Sequence, residues 1–319
     1  MPTPLRHTAA AAAALTVLTG LVPASAQAGT TPSPAGPVVC SSTFDPLLAA
    51  QVAADVTDAQ SGRSGTIAFT LHDTEDGLSC TDNADTRFDS ASVVKVTIMG
   101  AVLRRAQEEG RPLTAAEVGD LKPMITRSDN AAAGRLWAAL GPGRLRAFLD
   151  LAGMDETVLG PGQYWGLTRI TARDEMRLLD VCTSTTPVLS AGSRAYALAL
   201  MSSVEADQRW GTPYGAPAGV RVMLKNGWLP RATRGWRVHS LGVFTAPGLD
   251  YRMVVLTDGN ATMGYGVDTI QRIARVVHRD LDESGGSSLP LPPPTAPAGV
   301  EAAVVDGSSS GAVTPGDVQ

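Results

Sequence analysis

"SASVVKV", Ser90–Val96, is the stretch on which the reading of this chain turns. Ser92 and Lys95 stand three apart at the head of a segment, Val93 to Glu109, that has helical periodicity and a Gly110 stop. Residues three apart on a helix share a face, so the amine lies beside the hydroxyl. Among 26 Lys and Arg only three are Lys: Lys95, Lys122 and Lys225. Arg keeps its proton at any usable pH, whereas Lys can release it. A Ser hydroxyl becomes a nucleophile once a neighbour removes its proton. The positive field at a helix N-terminus favours the developing alkoxide.

An SxxK on its own arises often by chance, so its setting matters. Lys225 falls in "VMLKNGW" (Val222–Trp228), which reads as a strand, while Lys122 in "DLKPM" reads as a solvated surface residue. Between the two lies "MITRSDNAAAG" (Met124–Gly134), where Ser128 and Asn130 open a helix. Alone they would be read as caps. The three signals in the order SxxK, SDN, KxG suit one site.

The 319 residues carry a net charge of −5 and no basic run, so the electrostatic footprint of a nucleic-acid binder is missing. The four His are scattered and no zinc-type Cys/His spacing occurs, so neither a metal nor another cofactor is expected. Arg6 and His7, the apolar run Ala9–Val22 and then "PASAQAG" read as an export signal over residues 1–28. The run is too short for a membrane span. The expectation is a secreted, extracellular, monomeric product. A linker follows over 29–40, then a folded domain over 41–282. The Ser/Gly/Pro-rich tail 283–319 has a composition that cannot bury a core and is expected to be disordered. Three Cys in a secreted chain leave one over. Cys40 precedes a helical segment, Phe44 to Gln60, and Cys80 follows the turn "DTEDG". Cys40–Cys80 is the expected disulfide, with Cys182 a buried thiol.

"TIAFTLH" (66–72), "LSCTDN" (78–83), "VRVMLKNGW" (220–228), "RVHSLGVF" (237–244) and "YRMVVLT" (251–257) read as five strands. Helical patterns fill the middle, about 97–200: "SDNAAAGRLWAALG", "GRLRAFLDLAG", "TARDEMRLLDVC", opened by Thr171 and Asp174, and "SRAYALALMSSV". A last helix runs from Asp268 to Leu281. The expected class is α+β: an antiparallel five-stranded sheet, terminal helices on one face and an all-helical lobe on the other. The cleft between sheet and lobe is the natural ligand site.

"RFDSASVVKV", "MITRSDNAAAGRLWAALG" and "APAGVRVMLKNGW" resemble the three active-site motifs of class A β-lactamases and penicillin-binding proteins. The resemblance runs from about Phe44 to Leu281 and is close between Ser128 and Thr157. It implies a β-lactamase/transpeptidase-like fold and a covalent acyl-enzyme. Ser92 would be the nucleophile and Lys95 its base or part of its proton relay. Ser128 would pass a proton to the leaving nitrogen, and Asn130 would hold the substrate side-chain amide. Lys225, Asn226 and Gly227 would line the substrate, and the N–H groups of Ser92 and Trp228 would form the oxyanion hole. The implied partner is a small β-lactam or a cell-wall peptide. A D-alanyl-D-alanine peptidase and a non-catalytic binding protein on the same scaffold are the alternatives.

The pattern breaks twice. Asn226 stands where the family has Thr or Ser. The loop "DETVLGPGQYWGLTRITARDEM" (Asp155–Met176) lacks the family's water-activating Glu. Glu156 comes too early, Glu175 falls within the next helix, and Gln163 carries an amide that cannot act as a base. Tyr164 and Trp165 are expected to pack the loop. The acylation machinery is complete and the deacylation machinery is missing, which implies slow hydrolysis. His239 is read as structural, and Arg209 and Arg237 as surface residues or contacts for a substrate carboxylate.

Overall fold

Near-continuous burial along β2 (Thr66–Asp73), β7 (Trp236–Ala246) and β8 (Leu249–Asn260) marks strands covered on both faces. In the computed structural model, which describes residues 1–2 and 37–282, these strands are the middle of one antiparallel sheet. Its order is β1-β3-β2-β8-β7-β6, with β3 at Leu78–Asp82 and β6 at Arg221–Pro230. The sheet has six strands, one more than expected. The addition, β1 (Val39–Ser42), lies at the end of the stretch read as a linker and runs on into the domain. Four residues are too few to give a readable period-2 pattern. β1 pairs with β3 so that Cys40 faces Cys80, and the two form a disulfide. Cys182 is buried and free. Residues 3–36 and 283–319, and with them the export-signal and tail readings, lie outside the described residues.

Helices α1 (Pro46–Gln60) and α7 (Met263–Leu281) cover one face, closing a core of Val52, Val56, Phe69, Val255, Ile270 and Val277. The other face carries the lobe: α2 (Val94–Glu108), α3 (Ala115–Thr126), α4 (Asn130–Ala152), α5 (Ala172–Thr183) and α6 (Ala191–Ser202). Every residue of α2 from Val94 to Leu103 is buried, so α2 is the lobe's central helix. It meets α4 where a Cβ on Gly100 would overlap the Phe148 ring. Within α4, Gly141 (φ +68°) and Pro142 make the break that the sequence shows as two helices. Helix α3 was not among the sequence expectations, although its start carries a full capping box, Thr114 with Glu117. A two-stranded ladder, β4 (Phe88–Asp89) with β5 (Arg169–Ile170), ties the chain ahead of Ser92 to the end of the loop between α4 and α5.

Glu175, on α5, is fully buried with no hydrogen-bond partner for either carboxylate oxygen. Burial, with a smaller push from Asp174, raises its carboxyl from 4.5 to about 8. The folded chain then holds a proton that the unfolded chain releases above 4.5. Stability is full below that pH and falls as pH rises toward 8. We expect Glu175→Met to raise the midpoint of chemical unfolding at pH 8 by the equivalent of a few kcal/mol. The gain should shrink toward pH 5. A gain of the same size at both pH values would contradict this account.

Candidate active site

Ser92 sits in a 3₁₀ turn, Ala91–Val93, that leads into α2. The turn is entered through Ala91 at φ +47°, a left-handed conformation that costs a residue with a Cβ. The neighbouring chain holds it there. The Ser90 N–H donates to the Thr168 carbonyl (2.8 Å), and the Ser90 hydroxyl lies 3.2 Å from the Gly166 carbonyl. From the other side comes β6, an edge strand. A Cβ on Gly227 would stand 2.8 Å from the Ser92 nitrogen and 2.9 Å from that of Val93. Only glycine lets the strand come this near, and the backbone at Gly227–Trp228 thereby lies against the turn.

Lys95 is fully buried. Its Nζ lies within 2.9 Å of four oxygens: Ser92 Oγ (2.6 Å), the Ser128 carbonyl (2.7 Å), Asn130 Oδ1 (2.7 Å) and Ser128 Oγ (2.9 Å). The carbonyl and the amide oxygen can only accept, whereas the two hydroxyls can also donate. The amine donates to the two obligate acceptors, and either hydroxyl is placed to exchange a proton with it. Ser128 bridges α3 and α4 at φ +58°, the second strained residue of the site. Its Oγ also accepts from Lys225 Nζ (3.0 Å), which reaches out from β6. The structure thus brings Ser92, Lys95, Ser128, Asn130 and Lys225 together.

Asn226 behaves differently from the expectation. Its Nδ2 donates to the carbonyls of Gln208 and Trp210, both at 2.8 Å. Side chains alternate along a strand, and this one is committed to the segment that precedes β6. The Trp228 ring packs with Trp210 at 5.8 Å, on the α1/α7 side. Arg209 lies 3.3 Å from the Ser202 carbonyl. Arg237 is buried and turned to Asp89 (3.3 Å), which also draws Arg169 (3.3 Å) and Arg231 (3.9 Å). His239 is fully buried. Its Nδ1 accepts from the Thr257 N–H, so Nε2 carries the proton and donates to the Asp89 carbonyl (2.8 Å). Burial pushes the imidazole down to about 4, which fits a neutral structural role.

The loop between α4 and α5 holds two carboxylates, and both are committed elsewhere: Glu156 to Arg87 (2.6 Å) and Asp155 to Arg177 (3.4 Å). Gln163 is exposed. The loop side chain that reaches the site is Trp165, fully buried, with its ring centroid 4.7 Å from Lys95 Nζ. The sequence reading gave Trp165 a packing role and had no signal for this contact. Beside it Leu167 packs with Ala91 and Leu229, joined by Tyr164.

A sheet carrying this helical lobe has known counterparts. The sequence profile described as the beta-lactamase enzyme family matches residues 48–119 and 117–281. The chain belongs to that family. No curated protein matches it. Solved structures do. A β-lactamase from Sphaerobacter thermophilus is 23% identical with a TM-score of 0.62, covering 73% of this chain and 97% of its own. One from Xanthomonas campestris is 19% identical, also at 0.62, covering 72% and 97%. An ancestral class A β-lactamase, the last common ancestor of Gram-negative bacteria, is 21% identical at 0.59, covering 71% and 98%. At these identities the likeness establishes the fold.

The close approach of β6 generates a test by substitution. Gly227→Ala forces a Cβ onto backbone nitrogens that cannot move aside, and should cost about 1–3 kcal/mol. Gly134→Ala, in α4 with open space around it, should be neutral or stabilising by up to about 1 kcal/mol. Urea unfolding of the two variants checks the contrast. Equal midpoints would contradict the packing described.

Proposed function

We propose that this is a secreted serine hydrolase that forms an acyl-enzyme at Ser92 with β-lactams or related amides and esters, and releases the acyl group slowly. The observation that carries the reading is the 2.6 Å contact between Lys95 Nζ and Ser92 Oγ in a buried site. The neutral amine takes the Ser92 proton as Oγ attacks the carbonyl carbon. The negative charge that develops on the carbonyl oxygen is met by the N–H groups of Ser92 and Trp228, each donor of this kind being worth about 3–4 kcal/mol. As the C–N bond breaks, the proton passes from Lys95 to Ser128 Oγ, 2.9 Å away, and on to the leaving nitrogen. The Lys225 ammonium, 3.0 Å from the same oxygen, stabilises charge on Ser128 and attracts an anionic substrate group. The commitment of both loop carboxylates to surface arginines supports slow release.

That commitment also supports a second substrate reading, a peptidase acting on cell-wall peptides that end in D-alanyl-D-alanine. Acylation would follow the same steps. A purely non-catalytic scaffold is disfavoured by the Ser–Lys contact. Secretion is supported by the export-signal pattern of residues 1–28 and by the Cys40–Cys80 disulfide, a bond that persists in oxidising compartments.

Mixing the protein with a penicillin and following intact mass should give a long-lived adduct that maps to Ser92. Ser92→Ala should give none. Lys95→Arg should slow labelling by on the order of 10³, because a guanidinium cannot receive the proton. Drug that stays intact without an adduct would remove β-lactams as substrates. Rapid drug loss without an adduct would refute slow release.

A further inference from the structure

The wall that the α4–α5 loop presents to the reacting residues is apolar, and Trp165 is the part of it that touches Lys95. The indole is fully buried, and its Nε1–H has no acceptor. Where a buried donor is left unpaired, hydrogen bonding does not account for the residue. The ring face does the contacting, with its centroid 4.7 Å from Lys95 Nζ. Two anchors hold the ring in place. The adjoining Gly166 and Thr168 carbonyls accept from Ser90, two residues before the nucleophile. Leu167 is seated on Ala91 and Leu229.

We propose that Trp165 is a positioning residue that sets the lifetime of the acyl-enzyme by keeping water away from Lys95 and the Ser92 ester. This rests on the acyl-enzyme reading above. Hydrolysis of the ester needs a water whose oxygen bonds to the acyl carbon while the bond from that carbon to Ser92 Oγ breaks. The water gives one proton to Lys95, which returns one to Ser92 Oγ. A water can occupy a buried place only where the space is roomy and offers polar partners. The indole fills that space beside the amine with a surface that offers none. Truncation to Ala would leave a void bordered by Lys95 Nζ, which is polar enough to hydrate. A Phe at the same position would keep the wall and lose only the unpaired N–H.

The test separates acylation from release in the full-length protein, by intact mass during and after a pulse of penicillin. Trp165→Ala should label at a rate close to that of the parent and lose its adduct at least about tenfold faster. Trp165→Phe should keep the parental lifetime within about threefold. Trp165→Leu, which leaves a smaller void, carries the same test if the Ala variant does not fold, and should fall between the two. Normal labelling with an unchanged lifetime in the Ala or Leu variant would overturn the role of Trp165 and leave the acyl-enzyme reading intact. A lifetime as short in Trp165→Phe as in Trp165→Ala would also overturn it, since the wall would not be what matters. Failure of the parent itself to label would remove the acyl-enzyme reading, and this inference with it.

Discussion

Lys95 Nζ joins two parts of the chain at the site: the turn before α2, which carries Ser92, and the junction of α3 with α4, which carries Ser128 and Asn130. A buried amine is costly unless its bonding capacity is used, so the lobe has to bring the α3–α4 junction onto the head of α2. Two residues with a Cβ, Ala91 and Ser128, take left-handed backbone angles to do so. Such strain persists where the surroundings over-determine it. Here the surroundings are the Ser90 bonds on one side and Gly227 on the other. Lys225 then closes the arrangement from the sheet, through the Ser128 hydroxyl that both amines reach. The lobe and the sheet are therefore registered at the site by polar contacts of fixed length as well as by their shared core.

The segment that feeds Ser92 into place is anchored independently by Asp89. Its carboxylate gathers Arg169 from β5, Arg231 from the β6–β7 turn and Arg237 from β7, and its carbonyl receives the His239 proton. Burial lowers the Arg237 guanidinium below its usual range, and Asp89 works against that. A buried guanidinium and carboxylate together are weak evidence for net stability. What they supply at this position is register. Three segments converge on one residue, three places before Ser92. His239, read from the sequence as structural, and Arg237, read as a surface residue or a substrate contact, are both part of this anchor.

The clustered polar residues were legible in the sequence because the chemistry proposed for them imposes residue type. Ser92, Lys95, Ser128 and Lys225 had to be a hydroxyl or an amine, and a protein so rich in Arg makes its few Lys conspicuous. The five longer strands and their antiparallel sheet were legible from period, turn signals and length, whereas the order of the strands in the sheet was not. What escaped the reading has no local cause in the chain. β1 is too short to show a period, and its existence depends on β3 being there to pair with it. The role of Asn226 is set by which face of β6 it occupies and by a segment sixteen residues earlier that folds back beneath it. Trp165 reads as a packing aromatic in any loop. Only the contact with Lys95, seventy positions away in sequence, gives it a bearing on the chemistry. Helix α3 is the exception, since its capping box, Thr114 with Glu117, is a local signal in the sequence.

The carboxylates of this protein show why an indole at that contact matters. Glu117 is held by Arg111, the Thr114 N–H and Arg105, which keep it far below the usual carboxylate range. Asp89 is held by three guanidiniums. Glu175, with no hydrogen-bond partner, is pushed up until it keeps its proton. A buried carboxylate therefore imposes one of two demands on its surroundings, a set of donors or neutralisation. A loop carboxylate placed against Lys95 would bring about four acceptor sites to be filled. In a cleft that binds substrate, water is the available donor for those sites that the amine does not fill. The indole face brings no lone pairs and asks for no water. An indole at this contact supplies neither a base nor a reason for a water to be held beside Lys95. In the proposed acyl-enzyme both effects would act on release of the acyl group and leave the contacts among Ser92, Lys95 and Ser128 untouched.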